Sequence, residues 1–155
     1  MTTKILTILL LACTVCCNAQ ATQVEVHDPV LAKEGGFYYA FSTGPGITIY
    51  RSQDRENWRR VGRVFETEPQ WARDVAPGFN GHLWAPDIFE KDGRYYLFYS
   101  VSAFGKNTSG MGVAVSETLD PESPDYGWKD QGMVLQSIPN RDHWNAIDPA
   151  IVEDG

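Results

Sequence analysis

The chain has 155 residues, of which 43% are hydrophobic, 12% aromatic and 21% charged, a composition typical of a globular protein with a sizeable core. Its formal net charge is −7, and Lys and Arg form no basic patch along the sequence. Nucleic acid and anionic membrane are therefore not expected as partners, and a neutral ligand suits the charge better.

The first 19 residues are typical of a secretory signal peptide. A basic start precedes an apolar stretch from Ile5 to Val15, and Cys17 and Ala19 are the small residues of a cleavage site. The apolar stretch is too short to span a bilayer. We therefore expect cleavage after Ala19 and a secreted or periplasmic protein that does not bind membrane. Lipidation at Cys13 is the alternative.

All three cysteines lie within this segment, so the mature chain is expected to have no disulfide and no catalytic thiol. His27, His82 and His143 are too scattered for a zinc motif, and no metal site is predicted from them. Residues 20–155 should form a domain that is stabilised by its packed core.

Three stretches of similar sequence follow, and each has an aspartate beside a proline. Asp28, Asp87 and Asp148 are 59 and 61 residues apart. After each comes a short apolar stretch and a turn with glycine. The first two units continue with "FYYAFS" and "RYYLFYS", whose alternating side chains predict β-strands.

Two more strands are predicted in each of the first two units. The third strands are "ITIYRS" from Ile47 and "MGVAVS" from Met111, and the fourth strands are "RRVGRVF" and "GMVLQS". Turns containing Trp58 and Trp128 precede the fourth strands, and we expect these indoles and the Tyr-Tyr pairs to pack in the core. Four antiparallel strands with a period near 60 are typical of propeller blades. A β-sandwich with coincidental repeats is the alternative.

The predicted fold is thus an all-β propeller of which this chain holds about two blades and the first strand of the third. Closing roughly five such blades would need on the order of 300 residues, so residues 20–155 are expected to be the N-terminal part of the domain. First strands line the central channel of a propeller, which would bring the three repeated aspartates to one mouth. A local turn role for each Asp-Pro is the alternative.

At these motifs the sequence resembles glycoside hydrolase family 43, and within it the endo-1,5-α-L-arabinanases. The matching stretches are "HDPV" (27–30), "LWAPDI" (83–88), "GRYYLFYSVSAFGKNTSGMGVAVS" (93–116), "TLDP" (118–121) and "NAIDPAIVEDG" (145–155). The resemblance implies a five-bladed β-propeller that hydrolyses (1→5)-α-L-arabinofuranosidic linkages in arabinan, a pectin side chain, with inversion. An exo-α-L-arabinofuranosidase or β-xylosidase on the same fold is one alternative, and a non-catalytic sugar-binding propeller is another.

By this resemblance, Asp28 matches the general base, and Asp148 matches the carboxylate that modulates the pKa of the general acid and orients the substrate. The acid itself is implied to be a Glu beyond Gly155, so this chain alone is expected to be inactive. Inversion places water between two carboxyl groups that are about 6.5–9.5 Å apart. Asp87 follows its proline instead of preceding it, and we expect it to be structural.

Sugar-binding residues are predicted on the same mouth. Trp84 and Phe104 are expected to stack on arabinose units, with core packing as the alternative for each. Asn145 and the backbone at Ala146 and Ile147 are expected to hydrogen-bond the sugar next to the cleaved bond.

Gly112 is expected to let the substrate approach the backbone closely, with plain strand packing as the alternative. His27 either contacts the substrate or is an ordinary turn residue. No cofactor is expected for the chemistry, although the resemblance implies a structural calcium ion in the full-length protein, for which residues 1–155 specify no ligands. The complete protein is expected to be a monomer whose partner is arabinan.

Overall fold

The computed structural model describes residues 22–154, and within that range it contains nine β-strands and one short α-helix. The predicted signal peptide and its cleavage site lie outside the described residues. The strands are Val30–Glu34 (β1), Phe37–Ser42 (β2), Gly44–Pro45 (β3), Thr48–Ser52 (β4), Arg59–Arg63 (β5), His82–Lys91 (β6), Arg94–Val101 (β7), Ser109–Ser116 (β8) and Lys129–Ser137 (β9), and the helix is Ala72–Val75 (α1). The all-β prediction is confirmed.

The strands form two antiparallel sheets with the same order. Sheet 1 is β1-β2-β4-β5, and sheet 2 is β6-β7-β8-β9 with β3 added beside β6. The two-residue strand β3 follows β2 in the chain but belongs to sheet 2, where it pairs with His82 and Leu83 at the start of β6. The prediction of four antiparallel strands in each of the first two units is therefore confirmed.

Tight turns join the first two strands of each sheet, as the glycine-containing sequences predict. Gly35 and Gly36 have φ angles of 55° and 86°, and Asp92 and Gly93 have 54° and 74°. Two consecutive residues in the left-handed region are the mark of a type I′ turn, whose twist matches that of paired antiparallel strands. Each aromatic strand therefore folds directly back on the first strand of its sheet.

The core lies between the two sheets. Tyr39 and Phe41 of β2 are 1% exposed, and Leu97 and Tyr99 of β7 are 0% exposed. The ring of Phe41 meets the edge of Trp128 with centroids 5.7 Å apart, so an aromatic contact crosses from one sheet to the other. Trp128 thus packs in the core as predicted.

Trp58 does not pack in the core, so the prediction that it is a core residue is wrong. It is half-buried and lies outside the core cluster. Its Nε1 donates to the carbonyl of Arg55 at 2.9 Å, so the indole closes the β4–β5 turn instead of entering the sheet interface. A turn carbonyl satisfies the indole N–H, which a purely apolar core would leave without a partner.

A buried arginine connects sheet 1 to the segment that follows β8. Arg51 of β4 has a side chain that is 5% exposed, and it donates to Asp120 at 3.0 Å and to Glu122 at 2.9 Å. Its guanidinium also lies 4.3 Å from the ring centroid of Phe37. The planar group therefore combines two charged hydrogen bonds with an aromatic contact, which lysine does not reproduce.

A second contact of this kind lies at the end of β1. Glu34 accepts hydrogen bonds from Thr118 Oγ1 at 2.9 Å and from the Leu119 amide at 2.7 Å. Because Glu34 ends β1 and Thr118 follows β8, this contact joins the sheets at the end opposite to Asp28.

We expect Arg51→Met to lower the free energy of unfolding of the complete protein by about 2–3 kcal/mol, since a hydrogen bond to a charged group contributes about 1.5–3 kcal/mol. The acids it pairs with stay hydrated, with 43% and 72% of their side chains exposed, so the loss falls below that of a fully buried ion pair. Urea denaturation measures the difference. Arg59→Met is the matched control, because Arg59 is 61% exposed and reaches Glu122 only at 3.5 Å. Equal losses of unfolding free energy in the two variants would contradict the interpretation that the buried Arg51 side chain stabilises the contact between sheet 1 and the segment after β8.

The predicted first strand of a third unit is absent from the described residues. The segment 146–154 pairs with no strand in that part of the chain. It is held instead by the Ile151 amide, which donates to Asp87 Oδ2 at 2.6 Å. A strand is defined by its ladder partner, and none of the described strands lies beside this segment.

Among residues 22–154, no helix is long and apolar enough to cross a membrane.

Candidate active site

Three residues that precede proline share an unusual backbone conformation. Asp28, Ala85 and Asp148 have φ angles of 46°, 41° and 56°. The left-handed region is sparsely populated by residues with a side chain, and a following proline disfavours it further in favour of extended backbone. Each such residue costs about 1–3 kcal/mol and persists only where its surroundings hold it. These three positions are therefore equivalent in the repeat.

This equivalence corrects the predicted alignment of the repeat. Asp28, Asp87 and Asp148 were expected to match, but Ala85 takes the position in sheet 2 and Asp87 lies two residues further along. The β6 ladder contains an irregularity between Trp84 and Asp87, which accommodates the left-handed residue. Asp87 accepts from the Ile88 amide at 3.0 Å and the Ile151 amide at 2.6 Å, as its predicted structural role requires.

Asp28 is held by two neighbouring hydroxyl residues at the end of β2. Ser42 Oγ accepts from the His27 amide and donates to the His27 carbonyl, each at 3.0 Å. The Thr43 amide donates to the same carbonyl at 3.0 Å, and Thr43 Oγ1 donates to Asp28 Oδ2 at 2.9 Å. The carboxylate remains open to solvent, since 43% of the side chain is exposed. The backbone of His27, directly before Asp28, is therefore fixed by hydrogen bonds, and the Asp28 carboxylate is bound by Thr43 at one oxygen but stays accessible.

His27 lies beside this carboxylate. Its Nε2 is 3.4 Å from Asp28 Oδ2, and 79% of the side chain is exposed. The two groups form an ion pair only when the imidazole is protonated. A pair so exposed contributes little to stability.

The same hydrogen bond recurs between successive units. Thr43 Oγ1 accepts from the Ala85 amide at 2.7 Å, and Ser100 Oγ accepts from the Asp148 amide at 3.0 Å. Thr43 and Ser100 each lie five residues after the first tyrosine of a Tyr-Tyr pair. A hydroxyl at the end of the second strand thus holds the residue before proline in the next unit.

These contacts bring Asp28, Trp84 and Asp148 to one end of the two sheets. Trp84 precedes Ala85, whose amide binds Thr43, and Trp84 is opposite Ser100 in the β6–β7 ladder. Trp84 is partly exposed and so presents part of its indole to solvent. Two accessible carboxylates next to an apolar ring are suited to a sugar, because acids catalyse cleavage of its glycosidic bond and rings stack on its C–H groups.

Phe104 lies on the loop between β7 and β8 at this same end, and its side chain is 96% exposed. This is an unusual environment for a large apolar ring. Phe104 does not belong to the core cluster of the described residues, and its stacking on arabinose stays a prediction. Asn107 connects the loop to the next one, because its Nδ2 donates to the Asp142 carbonyl at 3.2 Å and its carbonyl accepts from Ser137 Oγ at 2.8 Å.

The three residues before Asp148 that were predicted to hydrogen-bond the sugar differ in their exposure to solvent. Asn145 is exposed and Ile147 is partly exposed. Ala146 is 0% exposed, and its amide donates to Ser109 Oγ at 3.0 Å. The Ala146 N–H is therefore already paired beneath the surface, and substrate binding by the Ala146 backbone stays a prediction.

Gly112 also lies away from any open surface. A Cβ at this position would come within 2.6 Å of the rings of Trp71 and Tyr99. These two rings stack with centroids 5.9 Å apart. Packing against these rings explains the glycine, as the alternative of strand packing expects, and the approach of substrate to Gly112 stays a prediction.

No group of three or more His, Cys, Asp or Glu side chains within residues 22–154 is arranged to hold a metal ion. The calcium ion that the resemblance implies stays an expectation for the full-length protein, and no chemical step is assigned to it.

The profile of Glycosyl hydrolases family 43 matches residues 21–155. The chain belongs to this family. It is 61% identical over 145 residues to the extracellular exo-alpha-(1->5)-L-arabinofuranosidase ArbA of Cellvibrio japonicus (strain Ueda107), a match that covers 94% of this chain and 41% of the relative. It is 39% identical over 138 residues to the extracellular endo-alpha-(1->5)-L-arabinanase 1 of Bacillus subtilis (strain 168), covering 86% of this chain and 41% of the relative.

Solved structures of arabinanases superpose on most of this chain. The alpha-L-arabinanase of Cellvibrio cellulosa, solved with arabinohexaose, superposes with a TM-score of 0.84 at 63% identity and covers 86% of this chain and 42% of its own. The native Bacillus subtilis arabinanase Arb43A gives a TM-score of 0.75 at 39% identity, and the match covers 83% of this chain and 44% of the arabinanase. The family 43 chain described here therefore spans about two fifths of the length of the relatives it matches.

Sequence reasoning missed Thr43, Ser100 and the role of Ala85. The Tyr-Tyr pairs place Thr43 and Ser100 in register, so aligning the units on tyrosine and proline instead of aspartate finds all three. The aspartates misled the alignment because sheet 2 carries a carboxylate two residues after the equivalent position.

Proposed function

We propose that the complete protein hydrolyses (1→5)-α-L-arabinofuranosidic linkages in arabinan with inversion. One observation carries the proposal: Asp28 and Asp148 occupy equivalent, strained positions before proline at one end of the sheets, with Trp84 at the unit between them. Outliers of this kind concentrate at functional sites. The names of the family 43 relatives, which act on arabinan, support the choice of substrate.

In the proposed reaction, Asp28 is the general base. Its exposed carboxylate takes a proton from a water molecule, and the oxygen of that water attacks the anomeric carbon of the arabinofuranosyl unit. A general acid outside the described residues protonates the departing oxygen. Asp148 orients the substrate and, through its negative charge, raises the pKa of that acid so that it stays protonated near neutral pH.

Trp84 and Phe104 provide apolar surfaces for neighbouring arabinose units in this proposal. Phe104 protrudes into solvent from a loop that Asn107 anchors, which suits a ring that is covered only when the polysaccharide binds. Asn145 and Ile147 lie between these loops and Asp148 in sequence and are proposed to contact the sugar next to the cleaved bond.

We also propose a five-bladed propeller for the complete domain. Two packed sheets that share an order of four antiparallel strands, with β3 added to the second, are what successive blades of a propeller provide. Secretion after cleavage at Ala19 is proposed as well, because two relatives are named extracellular enzymes. We keep lipidation at Cys13 as the alternative and propose a monomer, with structural calcium in the complete protein.

Cleavage within the arabinan polymer (endo mode) and cleavage from the end of the polymer (exo mode) are two candidate modes. The sequence motifs predict the endo mode. The relative at 61% identity is named an exo-arabinofuranosidase, while the endo-arabinanase of Bacillus subtilis is 39% identical. This difference in identity favours the exo mode, which we therefore place ahead of the endo mode.

The substrate proposal predicts that the complete protein converts debranched linear arabinan to short products and leaves xylan and xylo-oligosaccharides intact. Chromatography of the products over time also separates the modes. An exo enzyme releases one product of constant length from the first time point, whereas an endo enzyme first yields a broad mixture. Release of xylose from xylo-oligosaccharides without cleavage of arabinan would contradict the proposal, and binding of arabinan without cleavage would favour the non-catalytic alternative.

A further inference from the structure

We propose that Thr43 is a positioning residue that orients the carboxylate of Asp28 and fixes it relative to the strand carrying Trp84. The inference rests on the proposed function, because it assigns Thr43 its role through Asp28 as general base. Alignment of the units places Thr43 at the position equivalent to Ser100, but only the geometry shows that Thr43 contacts Asp28.

Thr43 Oγ1 makes two hydrogen bonds with different directions. It accepts from the Ala85 amide at 2.7 Å and donates to Asp28 Oδ2 at 2.9 Å. A hydroxyl has a single proton to donate and two lone pairs. Because the amide of Ala85 occupies a lone pair, the proton of Thr43 is directed at the carboxylate, which then presents its other oxygen, Oδ1, to water.

The comparison with Ser100 shows that the donated bond is specific to the first unit. Ser100 Oγ accepts from the Asp148 amide at 3.0 Å, which repeats the bond between Thr43 and Ala85. At the position equivalent to Asp28, however, sheet 2 has Ala85, which has no carboxylate. Both described units therefore have the accepted bond, and of these two only the unit with the proposed base has the donated bond.

The hydroxyl also connects the base to the binding surface. Ala85 follows Trp84 directly, so the Thr43 side chain fixes both the carboxylate and the backbone next to the indole. A base displaced by a fraction of an ångström loses its alignment with water and the anomeric carbon, and a misplacement of about 1 Å can reduce the rate by about 100-fold. Loss of the hydroxyl should therefore act mainly on kcat.

The experiment uses the complete protein and compares Thr43→Val with Thr43→Ser. Valine has nearly the shape of threonine but lacks the hydroxyl, and we expect kcat on linear arabinan to fall about 10–100-fold with KM nearly unchanged. Serine keeps the hydroxyl and should retain most of the parent kcat. If Thr43→Val does not fold, Thr43→Ala replaces it, with circular dichroism as the check.

Thr118→Val is the matched control. Thr118 Oγ1 also donates to a carboxylate oxygen at 2.9 Å, that of Glu34, but this contact lies at the opposite end of the sheets. The control should lose stability and keep kcat. Equal losses of kcat in Thr118→Val and Thr43→Val would overturn the proposal, because the effect would then be a general loss of stability.

A double-mutant cycle separates positioning from a structural role. If Thr43 acts through Asp28, adding Thr43→Val to Asp28→Ala should leave the residual kcat unchanged, since the group it orients is gone. An aryl arabino-oligoside with sodium azide keeps this rate measurable, because azide attacks without a base. A further 10-fold loss in the double variant would overturn the positioning role. Absence of any activity toward arabinan in the unmodified protein would instead overturn the proposed function.

Discussion

Replacing Asp28 with alanine is expected to lower kcat on arabinan by about 10²–10⁴-fold, the range that general acid–base catalysis contributes. The reason is the loss of the proton acceptor for the attacking water. Fold stability should change little, because 43% of the Asp28 side chain is exposed. Removal of an aspartate from a left-handed position before proline also removes no packing contact of the core. Steady-state kinetics on linear arabinan, with a thermal melt of each protein, measures both quantities.

Azide provides the positive control for this variant. It needs no deprotonation, so it should restore part of the activity of Asp28→Ala and leave the unmodified enzyme unchanged. Asp125→Ala is the negative control, because Asp125 is an exposed carboxylate on the loop between β8 and β9 and has no assigned role in the reaction. An Asp28→Ala variant with parental kcat would remove Asp28 from the mechanism.

Replacing Asp148 with asparagine is expected to lower kcat and also to narrow the pH range of activity. A nearby negative charge raises the pKa of a carboxylic acid, so its removal lowers the pKa of the general acid. The acid must be protonated to donate its proton to the departing oxygen. The basic limb of the kcat profile should therefore move to lower pH, while the backbone bond from the Asp148 amide to Ser100 is preserved.

Asp87→Asn distinguishes this effect from a general consequence of removing a repeated aspartate. Asp87 accepts two backbone amides, one of them from Ile151 at 2.6 Å, so its replacement should reduce stability. The acidic and basic limbs of the kcat profile should stay at the same pH in that variant. A profile that moves equally in Asp87→Asn and Asp148→Asn would show that Asp148 acts on the fold and not on the acid.

Local patterns in the sequence predicted most of the strands and turns. Alternating aromatic residues identify β2 and β7, and the pairs Gly35-Gly36 and Asp92-Gly93 adopt the left-handed φ angles of type I′ turns. These features depend on side chains a few residues apart. The position of Trp128 in the core depends in contrast on its contact with Phe41, a residue of the other sheet.

The prediction for Trp58 was wrong for a local reason, because its indole N–H donates to the Arg55 carbonyl three residues earlier. Other features depend on contacts between distant segments and could not be predicted from the sequence. Examples are the bond of the Ala146 amide to Ser109 and the space next to Gly112, which is filled in part by Trp71, a residue that precedes a helix of one turn that no periodicity predicts. The sign of φ at Ala85 is not encoded in its residue type. Bonds such as that of Thr43 to Ala85 join residues 42 positions apart, and only the assembled sheets show them.

The configuration of the first product tests the central claim most directly. Time-resolved ¹H NMR of arabino-oligosaccharide hydrolysis by the complete protein should show the β-anomer of the newly formed reducing end before mutarotation, as attack of a base-activated water from the opposite face requires. Initial formation of the α-anomer would mean a covalent intermediate and two displacements, and it would contradict the assignment of Asp28 as the base of an inverting reaction.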